Sequence, residues 1–424
     1  MRQSQLFTKT RKEIPSEETA KNAQLLLRAG FIHKEIAGVY GFLPLGLKVL
    51  NNIVQVIREE MNAIDGQEIS MTALQDKAVW DKTDRWDDKN VDIWFKTKLK
   101  NDSALGLSFT HEEPITNMMT QFVRSYRDLP KFVYQFQTKF RNETRAKSGI
   151  MRTREFLMKD LYSFCHTQKE QDIYYDRVKN SYIKIFRRLG LGEKTYVTFA
   201  SGGTFSKYSH EFQTVCEAGE DEIYVHDEKN IAINKEVMNP EVLKDLGIDE
   251  KDLHMEKASE VGNIFSLGTR FSDAMGLSYT DEFGEKKPVW MGSYGIGPAR
   301  VMGVLAETLS DDRGMIWPHE IAPFALHLVS LGKEGSDAHK KAEEIYEELR
   351  KHKVDILFDD REVGAGEKFA DSDLIGIPMR AVVSEKSLLA GGVEIKERKS
   401  DKDEIIPIEQ LIKMYTNCCD DCNH

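Results

Sequence analysis

The chain has 424 residues, a formal net charge of −11, 30% charged residues and 40% hydrophobic residues. This composition predicts a folded protein of two or three domains with a sizeable core, and it excludes a disordered chain. A general nucleic-acid binder is also excluded, because the net charge has the wrong sign. No apolar run approaches the roughly eighteen residues of a membrane span, and Met1 to Lys12 lack a signal-peptide core, so we expect a cytoplasmic protein without a membrane partner.

Two helices are predicted near the start of the chain. The first covers residues 16–29, with Ser16 as its N-cap and Gly30 just past its end. The second covers residues 47–61, where apolar residues recur at helical spacing. The glycine-rich stretch 38–46 predicts a turn-rich connection between them.

The middle of the chain alternates strand and helix patterns. Residues 108–110 and 132–140 predict strands. Thr167 and Glu170 have the spacing of a capping box, which predicts a helix that ends near Gly190. Two further segments follow: a charged surface insertion at 226–262 and a strand, turn and helix at 289–300.

The pattern changes near residue 320, between Pro318 and Pro323. Strands alternating with helices then predict a compact α/β module of about 100 residues. The predicted elements are strand 324–331, helix 337–352, strand 354–358, helix 367–375, strand 381–384 and helix 408–415.

The most informative chemistry lies between positions 139 and 160, where seven basic residues face three acidic ones in an acidic chain. Arg141 and Glu143 are two apart on a predicted strand, so their side chains point to one side. Arginine holds a phosphate through two parallel hydrogen bonds, and the ring of Phe156 can stack on a base. Arg152 and the glycine-preceded Arg300 add two more guanidinium groups. The alternative is a solvated ion-pair ladder with Phe156 in the core, but the coincidence of these patterns favours a nucleotide site.

Other familiar sites are excluded or left open. The glycines at 292–297 have the wrong spacing for a dinucleotide fingerprint, and neither a P-loop nor an H-E-x-x-H zinc motif occurs. Thr110 and Glu112 suit an ammonium ligand, with a purely structural role as the alternative. Five cysteines in this length do not form a disulfide framework, which favours a reducing compartment. The terminal cluster matches no standard zinc site, so no metal site is assigned; it consists of Cys418, Cys419, Cys422 and His424.

Taken together, Phe-Arg-x-Glu, a basic loop, Arg-x-x-x-Phe and a glycine-rich turn ending in arginine resemble motifs 2 and 3 of class II aminoacyl-tRNA synthetases. Within that class the chain is similar to the bacterial-type prolyl-tRNA synthetases along nearly its whole length. The segments that carry this resemblance are Leu27-Arg28-Ala29-Gly30-Phe31-Ile32, Gly41-x-x-Pro44-x-Gly46, Thr110-His111-Glu112-Glu113, Tyr134-Gln135-x-Gln137-Thr138-Lys139-Phe140-Arg141, Ser209-His210-Glu211-Phe212, Gly292-Ser293-Tyr294-Gly295-Ile296-Gly297, Asp359-Asp360-Arg361, Phe369-Ala370-Asp371 and Leu374-Ile375-Gly376-Ile377-Pro378.

The resemblance implies an α+β fold. A class II catalytic domain at 1–320, with a six-stranded antiparallel sheet flanked by helices, would precede an α/β anticodon-binding domain at 321–424 with a cysteine-rich tail. Motif 1 would lie at about 38–61, motif 2 at about 132–160, a short insertion at about 220–262 and motif 3 at about 289–305. A homodimer through motif 1 is also implied.

The implied activity is proline–tRNA ligation, with ATP and Mg²⁺ as cofactors and L-proline and tRNA(Pro) as partners. The implied catalytic residues are Arg141 and Arg300. The implied ATP-binding residues are Arg141, Glu143, Arg152, Phe156, Gln213 and Arg300. The implied proline-binding residues are Thr110, Glu112, Arg141, Met158, His210 and Ser293. Arg145 and Lys147 would contact the tRNA acceptor end.

Two departures from the family pattern have consequences. Ser293 stands where many bacterial members have cysteine, and a hydroxyl can still line the pocket. Only a short stretch at 220–262 occupies the place of the editing domain, so we expect no hydrolysis of alanyl-tRNA(Pro) in cis and a separate trans-editing protein. A synthetase for threonine, serine, glycine or histidine is one alternative. A non-catalytic paralogue that binds tRNA is another, although Arg141 and Arg300 both stand.

Overall fold

The computed structural model describes residues 1–13, 18–144, 148–202 and 208–416. The helices are α1 Lys21–Arg28, α2 Pro44–Asn62, α3 Lys77–Trp80, α4 Glu112–Met119, α5 Gln168–Arg188, α6 Pro240–Leu246, α7 Arg270–Met275, α8 Pro298–Thr308, α9 Asp337–Lys351, α10 Ala365–Ile375, α11 Glu385–Leu389 and α12 Ile408–Thr416. The strands are β1 Ile32–Ile36, β2 Val39–Phe42, β3 Gln67–Glu68, β4 Leu74–Asp76, β5 Phe95–Lys98, β6 Ala104–Leu107, β7 Lys131–Phe140, β8 Glu155–Cys165, β9 Thr195–Ser201, β10 Tyr208–Val215, β11 Asp221–His226, β12 Ile231–Asn234, β13 His254–Gly268, β14 Ser278–Thr280, β15 Lys286–Pro288, β16 Trp290–Ile296, β17 Leu326–Ser330, β18 Ile356–Asp359, β19 Met379–Val383, β20 Val393–Glu397 and β21 Asp403–Ile406. Within the described ranges, none of these helices is long and apolar enough to span a bilayer.

The chain divides into two compact units. The large unit comprises Glu35–Tyr40 and Ile53–Val304, and the small unit comprises Met1–Lys34, Gly41–Asn52 and Leu305–His424.

A mixed sheet forms the centre of the large unit. Its strand order is β10-β9-β12-β11-β13-β16-β8-β7-β3, and β10 also pairs with β13. Most neighbours are antiparallel, whereas β12 runs parallel to β9 and β3 parallel to β7. The described sheet thus has nine strands, more than the six that the family resemblance implied. The strands that the sequence did not predict include β11 and β12, which fall in the segment 220–262 that was expected to be a short insertion.

Helix α5 covers one face of this sheet. It packs against β8, β13 and β16, and its residues Val178, Tyr182 and Phe186 are buried. The ammonium group of Lys159 on β8 donates to the hydroxyl of Tyr182. Because side chains alternate along a strand, Phe156 and Met158, the near neighbours of Lys159, point to the opposite face. That face carries the candidate site.

The small unit contains a five-stranded sheet in the order β18-β17-β19-β20-β21. β17 is parallel to both β18 and β19, and the remaining pairs are antiparallel. Helix α9 packs on this sheet around a core that includes Leu328, Ile345 and Phe358. The alternating α/β module predicted from the sequence is confirmed, with α11, β20 and β21 as additions.

The predicted first helix begins later than expected. α1 starts at Lys21, and Ser16 lies outside the described residues. The N-terminal backbone amide of Asn22 donates to the Glu307 carboxylate over 2.8 Å, so a distant side chain caps this helix instead of a local serine. Gly30 follows the helix with a φ of 73°, as predicted.

Two strand predictions need correction. The strand predicted at 108–110 is wrong, because β6 ends at Leu107 and the backbone of Ser108 bonds to Ala73 and to Phe140 instead of pairing along one neighbouring strand. β7 ends at Phe140, as predicted, so Arg141 and Glu143, which were expected on a strand, follow it. In the predicted surface insertion, residues 254–262 form the first half of β13, where Ala258 and Val261 are buried in the sheet.

Candidate active site

An open cleft lies on the face of the large sheet opposite α5. Its walls come from the chain after β7, from β8, from β13 and from the turn between β16 and α8. The side chains relevant to chemistry are Arg141, Glu143, Arg152, Phe156, Met158, Glu260, Asn263 and Arg300.

The sheet order brings these distant segments together. β7 and β8 form a hairpin in which Phe140 lies opposite Glu155, and the amide of Arg141 donates to the carbonyl of Arg154 over 2.8 Å. β16 pairs with β8, and β13 pairs with β16, with Asn263 opposite Gly295. A Cβ at Gly295 would lie 2.9 Å from the amide oxygen of Asn263, so a larger residue there would displace the Asn263 side chain.

Arg141 is a cation without a matching anion. Its Cζ lies 5.2 Å from the centre of the Phe156 ring, and its Nε is 3.4 Å from the carbonyl of Phe109. Among the described residues, no carboxylate lies within 4 Å of its guanidinium nitrogens. Burial and the charge of Arg300 lower the pKa of Arg141. An anionic ligand would remove this imbalance, which is the physical signature of a phosphate or carboxylate site.

Arg300 is held in the wall of the cleft by backbone carbonyls. Its Nε donates to the carbonyl of Met151 over 2.9 Å, and its Nη1 donates to the carbonyl of Glu260 over 2.7 Å. The Glu260 carboxylate is 3.7 Å from the same nitrogen. These contacts fix the stem of Arg300 and leave its second terminal nitrogen for a ligand.

Glu143 and Arg152 are paired with each other. Arg152 donates to one oxygen of Glu143 from Nε at 3.1 Å and from Nη2 at 2.8 Å, and this bonding raises the pKa of Arg152. The other terminal nitrogen of Arg152 donates to Glu220, which also accepts from the Ser148 hydroxyl at 2.8 Å. Any nucleotide contact by Glu143 or Arg152 therefore replaces part of this ion-pair chain.

A carboxylate and amide cluster adjoins Glu260. Gln213, opposite Glu260 in the β10–β13 register, donates to Glu211 and Asp221 at 2.8 Å each. The carbonyl oxygen of the Gln213 side chain is buried and accepts no hydrogen bond within the described chain. Burial and the charge of Glu260 raise the pKa of Glu211 to about 7. The cluster therefore favours an added positive charge or donor.

Thr110, Glu112 and Ser293 come together beside Arg141. The Thr110 hydroxyl donates to the Glu112 carboxylate over 2.6 Å, and the Ser293 hydroxyl lies 3.4 Å from the other oxygen of Glu112. Glu112 is the first residue of α4, where the helix dipole favours a negative charge. Thr110 and Glu112, which were expected to face one side, are hydrogen-bonded to each other where α4 begins.

A buried polar network fixes the backbone below this group. Lys139 pairs with Asp160 at 2.9 Å and contacts Nδ1 of His111, whose Nε2 is 3.0 Å from the carbonyl of Thr72. Burial and the charge of Lys139 lower the pKa of His111 to about 4, so this imidazole is neutral at pH 7. His111 lies between Thr110 and Glu112, and its anchoring restricts both.

The structure does not bring His210 into this group. Its Nδ1 is 2.7 Å from the hydroxyl of Tyr175 on α5, its ring centre is 4.7 Å from that of Phe199, and it lines a separate cavity. Arg145, Lys147 and the cysteine-rich end at 417–424 lie outside the described residues. Within the described ranges, no three His, Cys, Asp or Glu side chains converge as metal ligands.

Sequence reasoning missed three residues that shape the site: Arg85, Glu220 and Glu260. Arg85 gave a weak signal as a lone arginine among tryptophans. Glu220 and Glu260 gave none, because their places depend on which strands become neighbours.

Comparisons with known proteins agree with this architecture. A family model of the tRNA synthetase class II core domain (G, H, P, S and T) matches residues 95–309, and one of the anticodon binding domain matches residues 326–417. The chain is 35% identical to the proline–tRNA ligase of Rickettsia rickettsii (strain Sheila Smith), covering 97% of this chain and 99% of that protein. It is 37% identical to the proline–tRNA ligase of Brucella anthropi, covering 98% and 99%. The crystal structure of the Cryptosporidium parvum prolyl-tRNA synthetase complexed with L-proline and AMP has a TM-score of 0.74 at 19% identity, covering 94% of this chain and 76% of that chain. The predicted fold class is confirmed.

Proposed function

The chain belongs to the proline–tRNA ligase family of class II aminoacyl-tRNA synthetases, and from this premise we propose that it activates L-proline with ATP and transfers the prolyl group to tRNA(Pro). The observation that carries the proposal is the environment of Arg141. Its guanidinium has no close carboxylate partner among the described residues, and it lies near the ring of Phe156 and the charge of Arg300. The Thr110–Glu112 pair lies beside it, as a site for an amino acid requires.

ATP occupies the cleft in this proposal. Phe156 stacks on adenine, and Glu143 accepts a hydrogen bond from the adenine amine. Arg141 holds the α-phosphate and Arg300 the γ-phosphate, so the two cations grip opposite ends of the triphosphate. Arg152, released in part from Glu143 and Glu220, supports the phosphates. The unpaired side-chain oxygen of Gln213 suits a ribose hydroxyl.

Proline lies between Arg141 and Glu112. Its secondary ammonium group donates to the Glu112 carboxylate and to the Thr110 hydroxyl oxygen, while Arg141 holds its carboxylate. Met158 and Ser293 form the wall around the ring. His210 is not part of this proline site, because it contacts Tyr175 and lines a separate cavity.

The first step needs no protein base, because the proline carboxylate is already a nucleophile. One of its oxygens bonds to the α-phosphorus, the bond from that phosphorus to the bridging oxygen breaks, and pyrophosphate leaves. Catalysis then rests on alignment and on the stabilisation of charge by Arg141 and Arg300. In the second step, a terminal ribose hydroxyl of the tRNA attacks the prolyl carbonyl, and AMP leaves.

The residues present also fit Mg²⁺. This ion prefers oxygen ligands and is usually held by one or two carboxylates together with substrate phosphates. Glu260 lines the cleft, and burial together with the charge of Glu260 raises the pKa of its neighbour Glu211. When bound, the ion would neutralise phosphate charge. Glu260 would hold it, with Glu211 in support.

The tRNA contacts extend beyond the cleft. Arg145 and Lys147 meet the acceptor end, and the domain that matches the anticodon-binding model reads the anticodon by contacts to unstacked bases. We propose a catalytic domain at 1–320, an anticodon-binding domain at 321–424 and a homodimer through residues 38–61. A separate trans-editing protein would remove mischarged alanine.

The test is amino-acid-dependent ATP–pyrophosphate exchange, with proline, alanine, threonine and serine measured in parallel. Exchange with proline far above the other three supports the proposal. Exchange with another amino acid would retain the class II assignment and overturn the proline pocket. Folded protein without exchange, but with affinity for tRNA, would favour the non-catalytic paralogue.

A further inference from the structure

Two consecutive carboxylates, Glu112 and Glu113, share one arginine. Nη1 of Arg85 lies 2.9 and 3.0 Å from the two oxygens of Glu113 and 3.5 Å from the nearer oxygen of Glu112. Glu113 also accepts from the Thr83 hydroxyl over 2.8 Å and is fully buried. Arg85 therefore pairs closely with Glu113 and only loosely with Glu112.

Aromatic rings hold Arg85 in place. Its Cζ is 5.5, 5.2 and 5.7 Å from the ring centres of Trp80, Phe109 and Phe271. The indole nitrogen of Trp94 donates to the Arg85 carbonyl over 2.9 Å. A guanidinium held by three rings has little freedom to follow a ligand. Its fixed position therefore determines how strongly Arg85 attracts the Glu112 carboxylate.

We propose that Arg85 and Glu113 form a fixed charge pair that leaves Glu112 as the one uncompensated carboxylate for the ammonium group of the amino acid. Glu113 is thus a positioning residue, which acts through Arg85. The inference rests on the proposed function, in which Glu112 binds the secondary ammonium group of proline.

The charge balance explains why both residues are needed. Two carboxylates and one guanidinium leave a single negative charge, equal and opposite to that of the ammonium group. Without the charge of Glu113, Arg85 would neutralise Glu112 and compete with the ligand. At about 4 Å and an effective dielectric constant of about 20, one charge changes a binding constant by at least about tenfold.

The experiment compares Glu113→Gln with the double variant Arg85→Gln/Glu113→Gln. Proline-dependent exchange is measured at pH 8, where Glu113, whose pKa burial raises to about 7, is ionised in the parent protein. Glu113→Gln leaves no net charge on the group, and we expect the KM for proline to rise at least about tenfold. The double variant restores one negative charge, and its KM for proline returns to within about threefold of the parent value. The KM for ATP stays within about twofold in both, because ATP contacts lie at Arg141 and Arg300.

A matched control uses another cation that pairs closely with one carboxylate and loosely with a second. Nζ of Lys287 lies 2.6 Å from Asp281 and 3.7 Å from Glu285, and none of the three lines the cleft. Asp281→Asn and Lys287→Gln/Asp281→Asn should change neither KM.

Three results would overturn the inference: an unchanged KM for proline in Glu113→Gln, a raised KM that the double variant does not restore, or equal changes in both substrates. If Glu113→Gln does not fold, the double variant alone decides, since a tenfold rise in its KM for proline contradicts the charge argument. A parent protein without proline-dependent exchange would overturn the proposed function itself, and the inference with it. Normal parent exchange with an unaffected variant overturns only the inference.

Discussion

Substitution of Arg141 by methionine should separate activity from stability. Methionine keeps an unbranched stem against the ring of Phe156 but removes the charge. We expect proline-dependent pyrophosphate exchange to fall at least about 10²-fold, while the ligand-free protein becomes no less stable. Activity falls because the charge of Arg141 binds the phosphate. Stability does not fall because, in the ligand-free protein, this charge has no close carboxylate partner among the described residues.

The magnitudes follow from the contacts of Arg141. A loss of about 10² corresponds to about 2.7 kcal/mol of transition-state stabilisation, the range for one preorganised donor. On the stability side, burial lowers the pKa of Arg141, so the folded chain binds this proton less tightly than the unfolded chain does. Arginine remains protonated at every working pH, so the penalty is constant and does not appear as a titration. Its removal should raise the melting temperature by on the order of 1 °C.

The assay pairs exchange kinetics at saturating ATP and proline with thermal unfolding of the ligand-free protein. Arg188→Met is the control, because Arg188 is paired with Glu59 and Glu60, and its loss should lower the melting temperature without affecting exchange. Exchange by Arg141→Met within tenfold of the parent would refute the assignment. A melting temperature several degrees below that of the parent would refute the unpaired-charge argument.

Three further predictions concern acid stability, packing and editing. Burial lowers the pKa of His327 to about 3, so the stability that this residue contributes is fully present above the unfolded-state pKa near 6.5 and is lost as the pH falls below it. In urea unfolding from pH 7 to 4, the unfolding free energy of His327→Gln should therefore depend less on pH than that of the parent, and equal slopes would contradict this. Gly46→Ala places a Cβ 2.1 Å from the carbonyl oxygen of Phe31 and should lower the melting temperature by several degrees. Gly366→Ala should not, because a Cβ at this position of α10 would meet no atom within 4 Å. Similar changes in both variants would refute the steric argument. The purified protein should deacylate alanyl-tRNA(Pro) no faster than buffer does, because β11, β12, α6 and β13 take up most of residues 221–268, and rapid hydrolysis would overturn this expectation.

The sequence by itself located the long regular elements and the residues that carry the chemistry. The helix predicted at 47–61 and the alternating module after residue 320 are confirmed, because apolar periodicity within one element is a local property. Arg141, Phe156 and Arg300 were identified from their residue types and spacing, and they line one cleft. Thr110 and Glu112 were also expected to face one side, and they are hydrogen-bonded to each other.

Only the tertiary structure decided what surrounds those residues. The cap of α1 comes from Glu307, Glu260 lines the cleft beside Arg300, and Arg85 lies 3.5 Å from Glu112. Each of these contacts joins segments that are far apart in the chain or follow irregular loops. Strand order and register are set by the sum of many long-range contacts, so a residue such as Glu260 is part of the site only because β13 becomes the neighbour of β16.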